Sequence, residues 1–189
     1  MNLEIDNVIK GCQKGERKSQ DELVRIYAPT LMAICQRYCK DKNLAQDALQ
    51  ETFINIFKYI KNYTGKGSFE GWIRKIAVNC SYGFLNKIRP VYFQEEIETL
   101  IDLQVEIPDI YSIIGEKEIL ELIQKLPTNQ YLVFNMKIIE GFSHQDIADI
   151  LDIAVSTSRS NLTRARSNLI NLIEERDIIE EANLKIIGK

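Results

Sequence analysis

Apolar residues recur along this chain three and four positions apart, and almost nowhere at every second position. That spacing predicts helices and argues against a sheet. Asp6 to Lys14 reads as a short amphipathic helix. Ser19 to Cys39 contains Pro29, which predicts two helices with a break near Ala28. Leu44 to Lys61 places Leu49, Phe53, Ile56, Phe57 and Ile60 on one face, with Asp47, Gln50, Glu51 and Asn55 opposite. Ser68 caps a further helix to about Lys87, with Trp72, Ile73, Ile76, Ala77 and Cys80 on its apolar side.

The same period returns in the C-terminal part, broken by turn residues. Thr128 can cap a helix carrying Leu132, Val133, Met136 and Ile139, and Gly141 can end it in the left-handed region. Ser143 with Asp146 forms a capping-box pattern ahead of Ile147, Ala148, Ile150 and Leu151. Asp152 to Val155 reads as a turn and Ser156 as the next cap. Beyond it Leu162, Ala165, Leu169, Ile170 and Ile173 face inward, while Arg159, Ser160, Thr163, Arg164 and Ser167 form a short, polar, basic face. A short helix, a tight turn and a longer second helix match the helix-turn-helix, whose second helix enters the major groove. Between Asp152 and Glu174 there is no acid, and Arg166 adds to the positive charge.

Charge segregates strongly although the 189 residues carry a net charge of only −3. From Thr52 to Gln94, Glu70 is the sole acid among seven bases, a net +6, and aromatic residues interleave with the bases. Such a mixture suits single-stranded nucleic acid, whose bases stack while its backbone is neutralised. Phe53, Phe57 and Trp72 lie on apolar stripes and are expected in the core. Tyr63, Phe69 and Tyr82 are expected to be exposed. The sign then inverts: Glu95, Glu96, Glu98, Asp102, Glu106 and Asp109 follow with no base among them, and Pro90 and Pro108 stand near the two ends of the stretch. Residues 93–112 read as an acidic linker, whose 20 positions reach at most about 65 Å. The expected architecture is all-α: two small helical domains, 1–92 and 113–189, joined by that linker, the second a helix-turn-helix.

Other chemistries find little support. The loop Thr64–Gly65–Lys66–Gly67 follows no strand and lacks the closing Lys-Ser/Thr of a phosphate loop. The single histidine, His144, has no evident carboxylate partner, so a hydrolase is not expected. Cys35 and Cys39 lie one helical turn apart, but Cys12, Cys80 and His144 are scattered, so the thiols read as reduced and buried rather than as zinc ligands. No apolar run spans a bilayer and the N-terminus lacks a secretory core, which predicts a cytoplasmic protein; separately, no cofactor and no small-molecule substrate are expected.

Three stretches together resemble a known family. AQDALQETFINIF at Ala45–Phe57, FEGWIRKIAVNCSYGFL at Phe69–Leu85 and the helix-turn-helix at Leu126–Arg166 are similar, in that order, to bacterial RNA polymerase sigma factors of the extracytoplasmic-function group. The likeness runs from about Ser19 to Leu172. It implies that Asp47, Gln50 and Glu51 contact the clamp of core RNA polymerase. It implies that Asn79 reads a flipped base of the non-template strand at the minus-ten element, with Phe69, Arg74, Lys75 and the Gly65–Ser68 loop beside it. It implies that Arg159, Ser160, Thr163, Arg164 and Arg166 meet the minus-thirty-five element. An anti-sigma factor is a further implied partner.

Two departures stand out. Where the family often has Gly-Thr-Val-Lys-Ser-Arg, this chain has Ser156-Thr157-Ser158-Arg159-Ser160-Asn161. Ser158 replaces an apolar residue, which predicts looser packing at the turn, and Asn161 replaces an arginine, which predicts one DNA contact fewer. Two other readings of the residues are a stand-alone helix-turn-helix repressor, which predicts tight binding to a palindromic duplex, and an adaptor that binds polymerase without reading DNA. The basic aromatic stretch favours the sigma factor, because a duplex repressor has no use for a single-strand groove.

Overall fold

The computed structural model describes residues 3–39, 41–88 and 116–187. The chain is all-α, and it divides into two compact units, 1–95 and 96–189. The division falls within the segment expected as a linker, and 93–112 themselves lie outside the described residues.

Unit 1 contains α1 (Leu3–Gln13), α2 (Arg17–Tyr38), α3 (Lys42–Tyr59), a 3-10 turn (Ile60–Asn62) and α4 (Phe69–Ile88). The Asp41 carboxylate starts α3 by accepting the amides of Asn43 at 2.9 Å and Leu44 at 3.0 Å, a cap that stabilises a helix by about 1 kcal/mol. α2, α3 and α4 pack on one another around Leu23, Leu31, Ile34, Ile56, Ile60, Ile73 and Val78. Buried Thr52 and Ser81 donate to the carbonyls one turn back, Ala48 at 2.6 Å and Ala77 at 2.7 Å, so their hydroxyls cost little inside the core.

The expected break near Ala28 does not occur. α2 runs unbroken through Pro29, which is exposed. A proline inside a helix costs about 3 kcal/mol. Leu23, Leu31, Ile34, Cys35 and Tyr38 are buried on either side of it along this one helix, at roughly 1.5–3 kcal/mol for each large apolar side chain, and that burial outweighs the lost hydrogen bond.

Unit 2 contains α5 (Glu116–Gln124), α6 (Thr128–Phe134) continued by a π-helical turn (Asn135–Ile139), α7 (His144–Leu151) and α8 (Val155–Ile187). α5, α6 and α7 all pack on α8, around Leu132, Val133, Met136, Ile147 and Ala165. The left-handed Gly141, with φ +76°, turns the chain out of the π turn, and the amide of Phe142 closes on Met136 O at 2.9 Å. The Ser143–Asp146 capping box forms as expected. Two caps differ from expectation. Thr128 is already the first residue of α6, behind Pro127, and α8 opens at Val155, so Ser156 sits in its first turn. Asp152, left-handed at φ 55°, ends α7 early enough for α8 to begin at Val155.

Candidate nucleic-acid interface

The α8 face of unit 2 is built as the sequence suggests. Leu162, Ala165 and Leu169 are buried, and Ile170 and Ile173, also expected inward, are half-buried; Arg159 is exposed and Ser160, Thr163, Arg164, Arg166 and Ser167 are half-exposed. Three hydroxyls fold back on the helix: Ser160 donates to Thr157 O at 3.0 Å, and Thr163 and Ser167 to Arg159 O and Thr163 O at 3.3 Å. The outward face is therefore short and smooth between its arginines. The Nε of Arg166 is buried without a hydrogen-bond partner.

Beneath this face lies a contact that sequence reasoning missed. His144, the first residue of α7, places Nδ1 2.9 Å from the hydroxyl of Ser158 in α8. Burial first, then the positive charges of Lys137, Arg159 and Arg166, hold the imidazole below its ordinary pKa. Ser158 is fully buried and bonded, so the looser turn packing expected at this position is corrected. Asn161 is buried beside it. It is 7% exposed and donates Nδ2 to Thr157 O at 3.1 Å, so the asparagine itself lies on the inner side of α8.

Unit 1 offers two surfaces. On α3, Asp47, Gln50 and Glu51 are all exposed, and so is Ile54, at 59%. Ile54 follows Glu51, Gln50 and Asp47 by three, four and seven positions, the spacing that puts them on one face. That spacing was the signal available in the sequence. Asn55 leaves this face: its Nδ2 donates to Glu51 Oε1 at 3.1 Å and to Cys80 Sγ of α4 at 3.4 Å.

The second surface is α4 with the loop before it. Asn79 is exposed, and Lys75, one turn earlier on the same side, is half-exposed. Arg74 is paired with Glu70 at 2.8 Å. Phe69 is not exposed as expected: at 7% it lies in an aromatic group with Tyr63, Trp72 and Tyr27, at centroid distances of 5.2, 5.6 and 5.8 Å. Aromatic rings gain more from one another than from water, so Phe69 supports the surface from below. Tyr63, Trp72, Phe57 and Tyr82 are half-buried, and Phe53 is buried.

Among the thiols, Cys12 and Cys39 are buried and pushed up to about 11, chiefly by burial, and none of the four cysteines is bridged. Thiols in that state are inert packing groups.

Known proteins give this geometry a family. The pattern described as Sigma-70 region 2 matches residues 23–89, in unit 1, and Sigma-70, region 4 matches residues 116–169, in unit 2. The ECF RNA polymerase sigma-E factor of Haemophilus influenzae is 29% identical over 178 residues, spanning 88% of this chain and 94% of that protein. The RNA polymerase sigma-H factor of Pseudomonas aeruginosa is 29% identical over 172 residues, 84% of this chain and 88% of that one. Two solved structures share the fold. CnrH, in complex with the cytosolic domain of CnrY, has TM-score 0.53 at 16% identity, covering 89% of this chain and 96% of that one. The sigma factor RpoE of Bartonella quintana, in complex with the anti-sigma factor NepR, has TM-score 0.54 at 20% identity, covering 82% and 96%. With region 2 ahead of region 4 and relatives aligned along most of its length, this chain belongs to the sigma-70 RNA polymerase sigma factors, in their extracytoplasmic-function group.

Proposed function

We propose that this sigma factor directs initiation through three surfaces. Residues 1–92 form the part that holds core RNA polymerase and opens the promoter, 93–112 the acidic connection, and 113–189 the upstream reader. The exposed α3 face of Asp47, Gln50 and Glu51, extended by Ile54, docks on the polymerase clamp. Asn79 of α4, with Lys75, Arg74 and the Gly65–Ser68 loop around it, receives a base flipped from the non-template strand. Unstacking that base costs a few kcal/mol, which the surrounding cationic groove and stacking can supply. In unit 2, Arg159, Ser160, Thr163, Arg164 and Arg166 meet the minus-thirty-five element in the major groove.

The protein performs no bond chemistry of its own and works in the cytoplasm, with an anti-sigma factor as the partner that withholds it from polymerase. The observation that carries this reading is the order of the two matched regions, each in its own helical unit with its polar face outward. Run-off transcription with purified core polymerase and a genomic promoter pool tests it. Specific transcripts that require this protein are expected. Tight binding to a palindromic duplex in the absence of polymerase, with no new transcript, would overturn it.

A further inference from the structure

The loop 64–68 is held by a chain of contacts that begins outside the matched region. α1 precedes residue 23, where the region 2 match starts. Its last residue, Gln13, directs one amide nitrogen at two carbonyls: Nε2 donates to Ile60 O at 3.1 Å and to Tyr63 O at 3.0 Å. Those carbonyls bracket the 3-10 turn from which the loop departs. Tyr63 passes the constraint on. Its ring lies 5.2 Å from Phe69 and 5.5 Å from Trp72, and its hydroxyl donates to Gly67 O at 3.0 Å, closing the loop on itself. Gly65 and Gly67 take φ +77° and +86°, a backbone path that residues with a side chain rarely follow.

α1 is itself fixed closely enough to transmit position. Ile9 and Cys12 are buried, and a Cβ on Gly11 would collide with Ser19 Oγ and Cβ. The approach of α1 to the start of α2 therefore requires glycine, two residues before Gln13.

We propose that Gln13 is a positioning residue for promoter melting: through the Ile60 and Tyr63 carbonyls it sets the geometry of the Gly65–Gly67 loop that lies beside the flipped base. This rests on the minus-ten assignment of Asn79 and that loop. The physical reason is preorganisation. A loop that is already in its bound shape pays no ordering cost when the base arrives, and a base pocket displaced by about 1 Å loses much of its discrimination.

The test uses the full-length protein reconstituted with core polymerase. Gln13→Leu keeps the side-chain bulk and removes both hydrogen bonds; Gln13→Glu keeps the shape and turns a carboxylate oxygen toward two carbonyls. Open-complex formation is measured by permanganate reactivity on promoters carrying each base in turn through the minus-ten element. Polymerase affinity is measured alongside. Both variants are expected to lower open-complex formation by about tenfold, the scale of two hydrogen bonds, and to flatten the base preference, with polymerase affinity unchanged. Gly11→Ala, which displaces α1, should do the same. An intact base preference in the Gln13 variants would overturn the proposal. So would a parallel fall in polymerase affinity, because that is what general damage to unit 1 produces. Asn79→Ala and Lys66→Ala separate the two ideas. If they too leave base preference intact, the minus-ten assignment itself fails, and if only the Gln13 variants do, the loss is confined to the role given to Gln13.

Discussion

His144 and Ser158 meet at 2.9 Å across the turn of the helix-turn-helix, one at the start of α7 and the other fully buried in the first turn of α8. A buried hydroxyl without a partner costs about 1–3 kcal/mol, whereas replacing both partners with apolar groups is nearly neutral. His144→Phe should therefore destabilise the protein by about that amount, and Ser158→Val alone should strand the imidazole nitrogen at a similar cost. The double variant should recover most of the loss. Urea denaturation of the four proteins checks this; additive losses would mean the pair is not coupled.

The same imidazole makes stability depend on pH. Burial and the charges of Lys137, Arg159 and Arg166 lower its pKa in the folded protein, whereas the unfolded chain keeps the ordinary value of 6.5. The unfolded state thus binds a proton first as pH falls. The contribution of neutral His144 is fully present above pH 6.5 and is lost as pH drops from there through the folded value. Melting followed between pH 7.5 and 5.5 should show Tm falling in the wild type. In the His144→Phe, Ser158→Val double variant that component should be absent, and an unchanged slope would sink the assignment.

Asn161 gives a prediction against family habit. Restoring arginine at this position would place a long charged side chain where the structure has a residue 7% exposed, bonded to Thr157 O. N161R should cost about 1–3 kcal/mol of stability, as overpacking does, and should add no DNA affinity. A variant that folds as well as the wild type and binds the upstream element more tightly, with steeper salt dependence, would show that this position faces DNA after all.

Where the sequence could be read and where it could not follows from which forces are local. Helical periodicity, the Ser143–Asp146 capping box and the Gly141 turn are settled within a few residues, and each was legible. Pro29 misleads because its local cost is real, but the burial of Leu23, Leu31 and Ile34 that overrides it is tertiary. Phe69 misleads because an aromatic among lysines looks the same whether it stacks on a base or on Tyr63 and Trp72. The His144–Ser158 pair joins residues 14 apart on different helices, and no spacing rule announces it. Asn79 came from resemblance alone; its chemistry is that of any exposed amide.

Ile54 tests the polymerase surface. At 59% exposure it contributes little to the core, so Ile54→Asp should change stability by no more than about 0.5 kcal/mol. A large apolar residue flanked by Asp47, Gln50 and Glu51 is instead the kind of group that anchors an interface centre. Ile54→Asp should weaken core polymerase binding by about tenfold or more, as should Glu51→Lys, while upstream-element recognition in an assembled complex stays the same. Competition against the wild-type factor for limiting core polymerase reads this directly. Equal competition by both variants would remove α3 from the interface.

The arginines of α8 should divide by position. Arg159 is exposed in the second turn of α8, the end that points at base edges in a helix-turn-helix. Arg166 lies two turns further on along the same face and is half-exposed, a place that suits a phosphate at the groove's edge. In reconstituted holoenzyme, Arg159→Ala should cost about 1–3 kcal/mol of upstream-element binding and relax preference at one base position. Arg166→Ala should weaken binding to every sequence alike and reduce the slope of log affinity against log salt by about 1. The two effects are separable because a base contact carries sequence information whereas counterion release does not. A uniform loss from Arg159→Ala with a reduced salt slope would reassign it to the backbone, and no loss from either variant would remove this face of α8 from the promoter.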